Sequence, residues 1–282
     1  MKMEWGNFEI SVVSDGAFWL DGGAMYGVVP RTLWSLATPP DAQNRIEVAL
    51  NCLLVRTPAG NVLLDTGLGD KYDNKFAERF HVDRSRRLVE ELGRLGLTPL
   101  DIDMVINTHL HFDHAGGNTR RDDQGKVIPV FPKARYVIQR GEWANANAPN
   151  ARSRASYHPE DWLSLETNGQ VHWVSGDQEV LAGVSVFLTP GHLRDHQSVR
   201  ISSCQGDLVF LSDIIPTAHH LKLPWIMSYD LYPLETLETK QALIRRAVAE
   251  HWLLVFYHDP RVPMAYLTEQ DGLLQVDPYV SS

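Results

Sequence analysis

Three histidines and an aspartate fall within six consecutive positions of the stretch Thr108-His109-Leu110-His111-Phe112-Asp113-His114-Ala115-Gly116-Gly117. Imidazole nitrogens and carboxylate oxygens suit zinc, iron, manganese, cobalt or nickel. The His-x-His pair can aim two nitrogens at one ion, and the Asp-His that follows can turn toward a second. Gly116 and Gly117 would free the chain for the tight bend this needs. Elsewhere, short apolar runs end in another metal-competent residue. Residues 186–191 lead into His192, 208–212 into Asp213, 253–257 into His258 and 62–64 into Asp65, as 104–108 lead into His109.

Those runs are the elements that must carry the chemistry. Continuous apolar runs of this length suit strands buried on both faces. Side chains just past their C-terminal ends can converge on the edge where open α/β sheets take their ligands. Residues 8–13 read as a strand ending at Ser14-Asp15-Gly16, and residues 48–56 and 62–64 read as a hairpin around 57–61. Leu88, Leu92 and Leu95 fall at helical spacing before a Gly96 stop. Leu237, Leu243, Ile244, Ala247 and Val248 mark a second amphipathic helix. Arg84-Ser85-Arg86-Arg87 reads as a solvated face of a helix. Between 18 and 41 lies a long segment rich in aromatics, glycine and proline, which reads as an irregular loop. Its Phe18, Trp19, Met25 and Tyr26, with Trp225 and Met227, either fill the core or line an apolar pocket.

Composition narrows the classes. Hydrophobic residues at 44% and charged residues at 22% make a globular protein rather than a disordered or fibrous one. No repeat or linker divides the chain, so a single domain over residues 1–282 is expected. The net charge of −9 repels phosphate backbones and argues against nucleic acid as a partner. No apolar run reaches the roughly 18–20 residues of a membrane helix, and the N-terminus lacks the pattern of a secretory signal. Cys52 and Cys204 are too few for a disulfide framework and read as buried thiols of a cytoplasmic protein.

The sequence resembles the metallo-β-lactamase-fold hydrolases. Their His-x-His-x-Asp-His motif is matched by His109, His111, Asp113 and His114, their next histidine by His192, their bridging aspartate by Asp213 and their last histidine by His258. Within that superfamily it is most similar to quorum-quenching N-acyl-homoserine-lactone lactonases, through residues 109–117, 189–192, 212–220 and 229–233. The resemblance implies an α/β fold, a four-layer αββα sandwich. It implies two divalent ions, zinc first, with manganese, cobalt or iron also suited. One would bind His109, His111 and His192, the other Asp113, His114 and His258. Asp213 would bridge them, Asp113 could move a proton, and Asp65 would orient a histidine through its ring N–H.

Two ions roughly 3.5–4 Å apart can share a water and lower its pKa toward neutrality, so that a bridging hydroxide attacks an ester. The expected function is opening of a lactone or cleavage of a small ester. Phosphotriester or aryl ester hydrolysis uses the same chemistry, and a non-catalytic metal-binding protein is the remote alternative. Known lactonases place a tyrosine shortly after the bridging aspartate, whereas Asp213 is followed here by Ile214, Ile215 and Pro216. Tyr229, His219 or His220 is the expected substitute donor. A homodimer is expected by analogy with related lactonases.

Overall fold

From the N-terminus, β1 (Lys2–Trp5) pairs antiparallel with β2 (Phe8–Asp21), with Trp5 opposite Phe8. The computed structural model describes residues 1–280. Strand β2 does not stop at Ser14-Asp15-Gly16 but continues to Asp21. Nor is the following segment irregular: it forms α1 (Gly22–Tyr26) and α2 (Arg31–Ala37). Asp21 caps α1 by accepting the Ala24 N–H at 2.8 Å, a bond that residue types in a Gly-rich stretch do not announce. Trp34 packs so closely beneath Gly22 that a Cβ there would lie 2.4 Å from the indole.

Next, β3 (Arg45–Thr57) and β4 (Gly60–Leu64) form the expected hairpin, with Thr57 opposite Gly60. After α3 (Asn74–Arg79), α4 (Leu88–Arg94) ends where the sequence places its stop, Gly96 having φ 76°. The basic run precedes α4 rather than lying on it. Arg84 is turned inward onto buried Asp15, and Arg86 and Arg87 pair with Glu91 and Asp70. The chain goes on through β5 (Met104–Ile106), α5 (Phe112–Ala115), a two-stranded ribbon of β6 (Thr119–Arg121) and β7 (Val127–Pro129), then β8 (Arg135–Gln139), α6 (Arg140–Asn147), α7 (Leu163–Thr167) and β9 (Val171–Val174). The first sheet runs in the order β1-β2-β3-β4-β5-β8-β9 and is parallel from β4 onward. Val105, Ile106, Leu63 and Leu64 are wholly buried, as parallel strands require.

The second sheet follows chain order: β10 (Gln178–Leu181), β11 (Val184–Leu188), β12 (Gln197–Ser203), β13 (Gly206–Phe210), β14 (Leu253–Val255), β15 (Met264–Gln270) and β16 (Leu273–Pro278). The parallel pair β13–β14 is bridged by α8 (Pro233–Ala249), which opens on a proline at its first turn. The apolar face of α8, Leu243 and Ala247, packs with Trp252, Phe256 and Leu267. Strand β11 is antiparallel and buried on one side only, unlike the expectation for an unbroken apolar run. Cys52 is buried, but Cys204 sits in the exposed β12–β13 turn, so the expectation of two buried thiols fails there.

By contacts the chain divides into two units: Met1–Ala17 with Leu50–Gln178, and Phe18–Ala49 with residues from Glu179 on. Among the described residues no helix is long and apolar enough to cross a membrane.

Candidate metal centre

In the first unit the site grows from the ends of β4 and β5. The chain leaves β4 through Asp65, whose φ of 54° is the left-handed conformation that aspartate tolerates better than most residues. It leaves β5 through Asn107 and Thr108 to His109, Leu110 and His111, and α5 then carries Asp113 and His114. All are buried: His109 and His114 are 0% exposed, His111 6% and Asp113 7%. The rings of His109 and His111 lie 4.5 Å apart and those of His109 and His114 4.0 Å apart.

Asp65 organises this cluster. It accepts the Thr108 N–H and Thr108 hydroxyl at 2.8 Å each, and the His114 Nδ1–H at 2.9 Å. Because the Thr108 hydroxyl donates to Asp65, its oxygen accepts from His109 Nδ1 at 3.1 Å. One carboxylate thus fixes the tautomer of two histidines and leaves each Nε2 a lone pair. Burial pushes the Asp65 carboxyl upward, opposed by its bonds to His114 and Thr108. Around His111, Glu142 accepts the Leu110 N–H and the Tyr157 hydroxyl at 2.9 Å each, and the Tyr157 ring meets the His111 ring edge-on.

Gly116 and Gly117 serve a different purpose from the expected one. Gly116 has φ −57°, which any residue adopts. Instead, a Cβ on Gly116 would lie 2.2 Å from Leu68 O, and one on Gly117 2.1 Å from Thr66 O. The glycines let the loop after α5 sit directly on the Asp65-Thr66-Gly67 turn. Lys71 braces the same loop, donating to the Gly116 and Thr119 carbonyls while paired with buried Asp161 at 3.0 Å.

Beside this loop opens a cavity of about 220 Å³ with an aromatic wall of Tyr72, Phe76, Phe112 and His158 beside Leu68, and with Lys71, Asp73, Glu160 and Asp161 completing its lining. Phe112 is the residue between His111 and Asp113. It stacks on His158 with ring centres 5.5 Å apart and meets Phe76 edge-on at 5.4 Å. His158 lacks any ligand-like sequence context, and Phe76 lies in the short helix α3, where no pattern in the sequence points to a site.

In the second unit, His192 follows β11, Asp213 follows β13 and His258 follows β14. Ser212, immediately before Asp213, has φ 53°, a strained value for serine of the kind often found at functional sites. His192 donates Nδ1–H to Asp230 at 2.9 Å, and Asp230 also accepts the Thr236 hydroxyl at 2.8 Å. His258 donates Nδ1–H to the Ala49 carbonyl at 2.9 Å. Both Nε2 atoms face Asp213, His192 toward Oδ2 at 3.4 Å and His258 toward Oδ1 at 3.1 Å. A neutral imidazole whose proton is spent on Nδ1 would there oppose lone pair to lone pair. The arrangement calls for positive charge against each Asp213 oxygen, a ring proton or a cation, and the donor set is one that suits divalent metals.

Other residues singled out in the sequence fall differently. Phe18, Met25, Tyr26, Trp225 and Met227 are buried. Tyr26 stacks on Trp34 and on His220 and meets Trp225 edge-on. Trp19 and His219 are half-buried, and Tyr229 is exposed. His220 donates Nε2–H to Met25 O and accepts at Nδ1 from the Thr217 hydroxyl, 2.8 Å each. Burial holds its pKa down to about 3, so it is neutral with both nitrogens engaged. That removes it from the candidate donors to substrate. Burial also lowers the pKa of His219. Asp230 was not assigned from the sequence, since only the fold brings it under His192.

A sequence profile of the metallo-beta-lactamase superfamily matches residues 46–258. An N-acyl homoserine lactonase of Bacillus cereus is 31% identical over 181 residues, 60% of this chain and 64% of that protein, so the match spans less than two thirds of the relative. A probable metal-dependent hydrolase from Staphylococcus aureus superposes with a TM-score of 0.91 at 30% identity, covering 99% of this chain and all of the other. AidC, a dizinc quorum-quenching lactonase, shares the fold with a TM-score of 0.81 at 20% identity, over 100% of this chain and 98% of that one. The motif, the fold and the span of the match make this chain a member of the metallo-beta-lactamase superfamily.

Proposed function

We propose that this chain is a dinuclear metal-dependent hydrolase that opens lactones or cleaves small carboxylic esters, with N-acyl-homoserine lactones as its leading substrate class. The observation that carries the reading is Asp213, each of whose oxygens faces the Nε2 of a different histidine. In this reading residues 1–282 act as one domain. His109, His111 and His192 would hold one ion, Asp113, His114 and His258 would hold the other, and Asp213 would serve both. When bound, such a pair supplies an activated water and an electrophilic hold on the substrate oxygen.

The chain's own residues prepare that chemistry. Asp65, Thr108, Asp230 and the Ala49 carbonyl keep the Nε2 lone pairs of His114, His109, His192 and His258 available. Asp113 takes the proton lost by the attacking water and returns it to the departing alkoxide, so that a lactone opens to a hydroxy acid. The aromatic cavity beside Phe112 suits an acyl chain or another apolar group. Tyr229 and His219, with Trp19, remain the residues with surface to offer a substrate, and Tyr229 or His219 is the donor to the carbonyl. Loss of such a donor costs on the order of 10²-fold, so Tyr229→Phe turnover within about twofold of wild type passes the role to His219.

The test is a substrate panel: acyl-homoserine lactones of several chain lengths, aryl esters, phosphotriesters and β-lactams. Lactones should give the highest kcat/KM, and a preference for phosphotriesters or aryl esters would overturn the substrate assignment. The same reading carries zinc as the resident metal, a cytoplasmic setting and a homodimer as the working form. Native mass spectrometry reads the metal and the assembly together.

A further inference from the structure

The second unit contains a groove lined by none of the proposed metal ligands. It is bounded by the turn at Ala218–Leu221, by α8 and by β16, and its volume is about 660 Å³. That lies within the roughly 300–1,000 Å³ of small-molecule sites. Its floor is apolar: Ile244, Val262, Leu274 and Val276 pack on the core beneath while keeping part of their surface exposed. Strand β16 contributes alternate residues, Leu274 and Val276, as one face of a strand must.

The rim is cationic. Lys222 and Arg245 line it, both exposed, and among the described residues no acidic side chain does, although the chain carries a net charge of −9. The Lys222 ammonium stands over the Trp225 ring at 4.2 Å, which holds its charge at the groove edge. The wall bearing Lys222 is fixed from within. Buried Lys240 on α8 donates to the carbonyls of Lys222, Leu223 and Trp225 at 3.1, 3.4 and 2.7 Å. The groove is therefore a walled feature of the fold, apolar along its length and positive at its edge.

We infer that this groove binds a free medium-chain fatty carboxylate, its alkyl chain over Ile244 and Val276 and its head group between Lys222 and Arg245. Charge complementarity selects the anion, and the apolar floor of Ile244, Val262, Leu274 and Val276 takes its alkyl chain. The proposal stands apart from the metal ligands, none of which lines the groove, although His219, a candidate donor to the carbonyl, does.

The experiment titrates the full chain with octanoate and decanoate below their micelle concentrations, reading calorimetry and the methyl NMR shifts of Ile244, Leu274 and Val276. Each buried methylene is worth a factor of about four in affinity, so decanoate should bind roughly tenfold or more tighter than octanoate. Arg245→Glu and Lys222→Glu, exposed substitutions that leave turnover intact, should each weaken decanoate about fivefold or more. Decyltrimethylammonium should leave the methyls unmoved. The inference is overturned if decanoate fails to shift these methyls, if both charge reversals leave its affinity unchanged, or if the cationic amphiphile binds equally well. Preferential binding of an N-acyl amino acid of equal chain length would overturn the choice of a free fatty acid. Disappearance of the decanoate-induced methyl shifts as the chain is concentrated into a dimer would overturn it in favour of self-association.

Discussion

Replacing Asp230 by asparagine removes a charge while nearly keeping a shape. The native carboxylate accepts two hydrogen bonds, from His192 Nδ1 at 2.9 Å and from the Thr236 hydroxyl at 2.8 Å. Asparagine can still accept from His192 through its oxygen, but it no longer stabilises the positive charge that a ligating imidazole shares. Substitutions of this kind typically lower metal affinity 10–100-fold, about 1.4–2.7 kcal/mol. Asp230→Ala loses both bonds and leaves His192 free to turn, so it should fall at or beyond the upper end. The assay is competition for zinc between the apo protein and a chromophoric chelator, with circular dichroism to show that each variant is folded. Folded Asp230→Asn and Asp230→Ala proteins that both bind zinc within twofold of wild type would refute the reasoning that Asp230 acts through His192.

Three further outcomes follow from particular contacts. Gly117→Ala places a Cβ 2.1 Å from the Thr66 carbonyl and should cost about 1–3 kcal/mol or more of stability, read by urea unfolding, with loss of metal binding. Phe112→Ala removes the aromatic wall beside His158, so KM should rise more for decanoyl than for butanoyl homoserine lactone; an equal change for both would show that the cavity does not hold the chain. His220 is held neutral, with a pKa lowered from 6.5 to about 3, so between those values the unfolded chain binds the extra proton. The contribution of His220 is therefore complete above pH 6.5 and is lost as pH falls toward 3, at up to about 1.36 kcal/mol per pH unit. Guanidinium unfolding of His220→Gln should show a correspondingly flatter dependence between pH 6 and pH 4 than wild type, and matching slopes would contradict it.

Much of the site was legible because metal ligation needs few residue types at fixed spacing. The histidine cluster at 109–114 and the strand-end positions of His192, Asp213 and His258 follow from pattern alone. The strands that carry them follow from short continuous apolar runs, and α8 follows from helical spacing. What was hidden depends on partners distant in sequence. Asp230 is an ordinary acid until the fold sets it under His192, and His158 is an ordinary histidine until it stacks on Phe112. Residues 18–41 read as a loop because glycine and proline punctuate them, yet an Asp21 cap and the packing of Trp34 wind them into helices. The aromatics of that segment read equally well as pocket or core, and the Tyr26–Trp34–His220 stack shows burial deciding what composition left open.

In the proposed function Asp213 would serve a pair of cations, and water would be made reactive there. The most direct test of that function is to strip the protein with chelator and titrate zinc back while following the hydrolysis of N-decanoyl-homoserine lactone. Activity should be absent in the stripped protein, rise with added zinc and reach its plateau at two equivalents per chain, with Asp213→Ala inactive throughout. Full turnover without metal, a plateau at one equivalent or an active Asp213→Ala protein would contradict it.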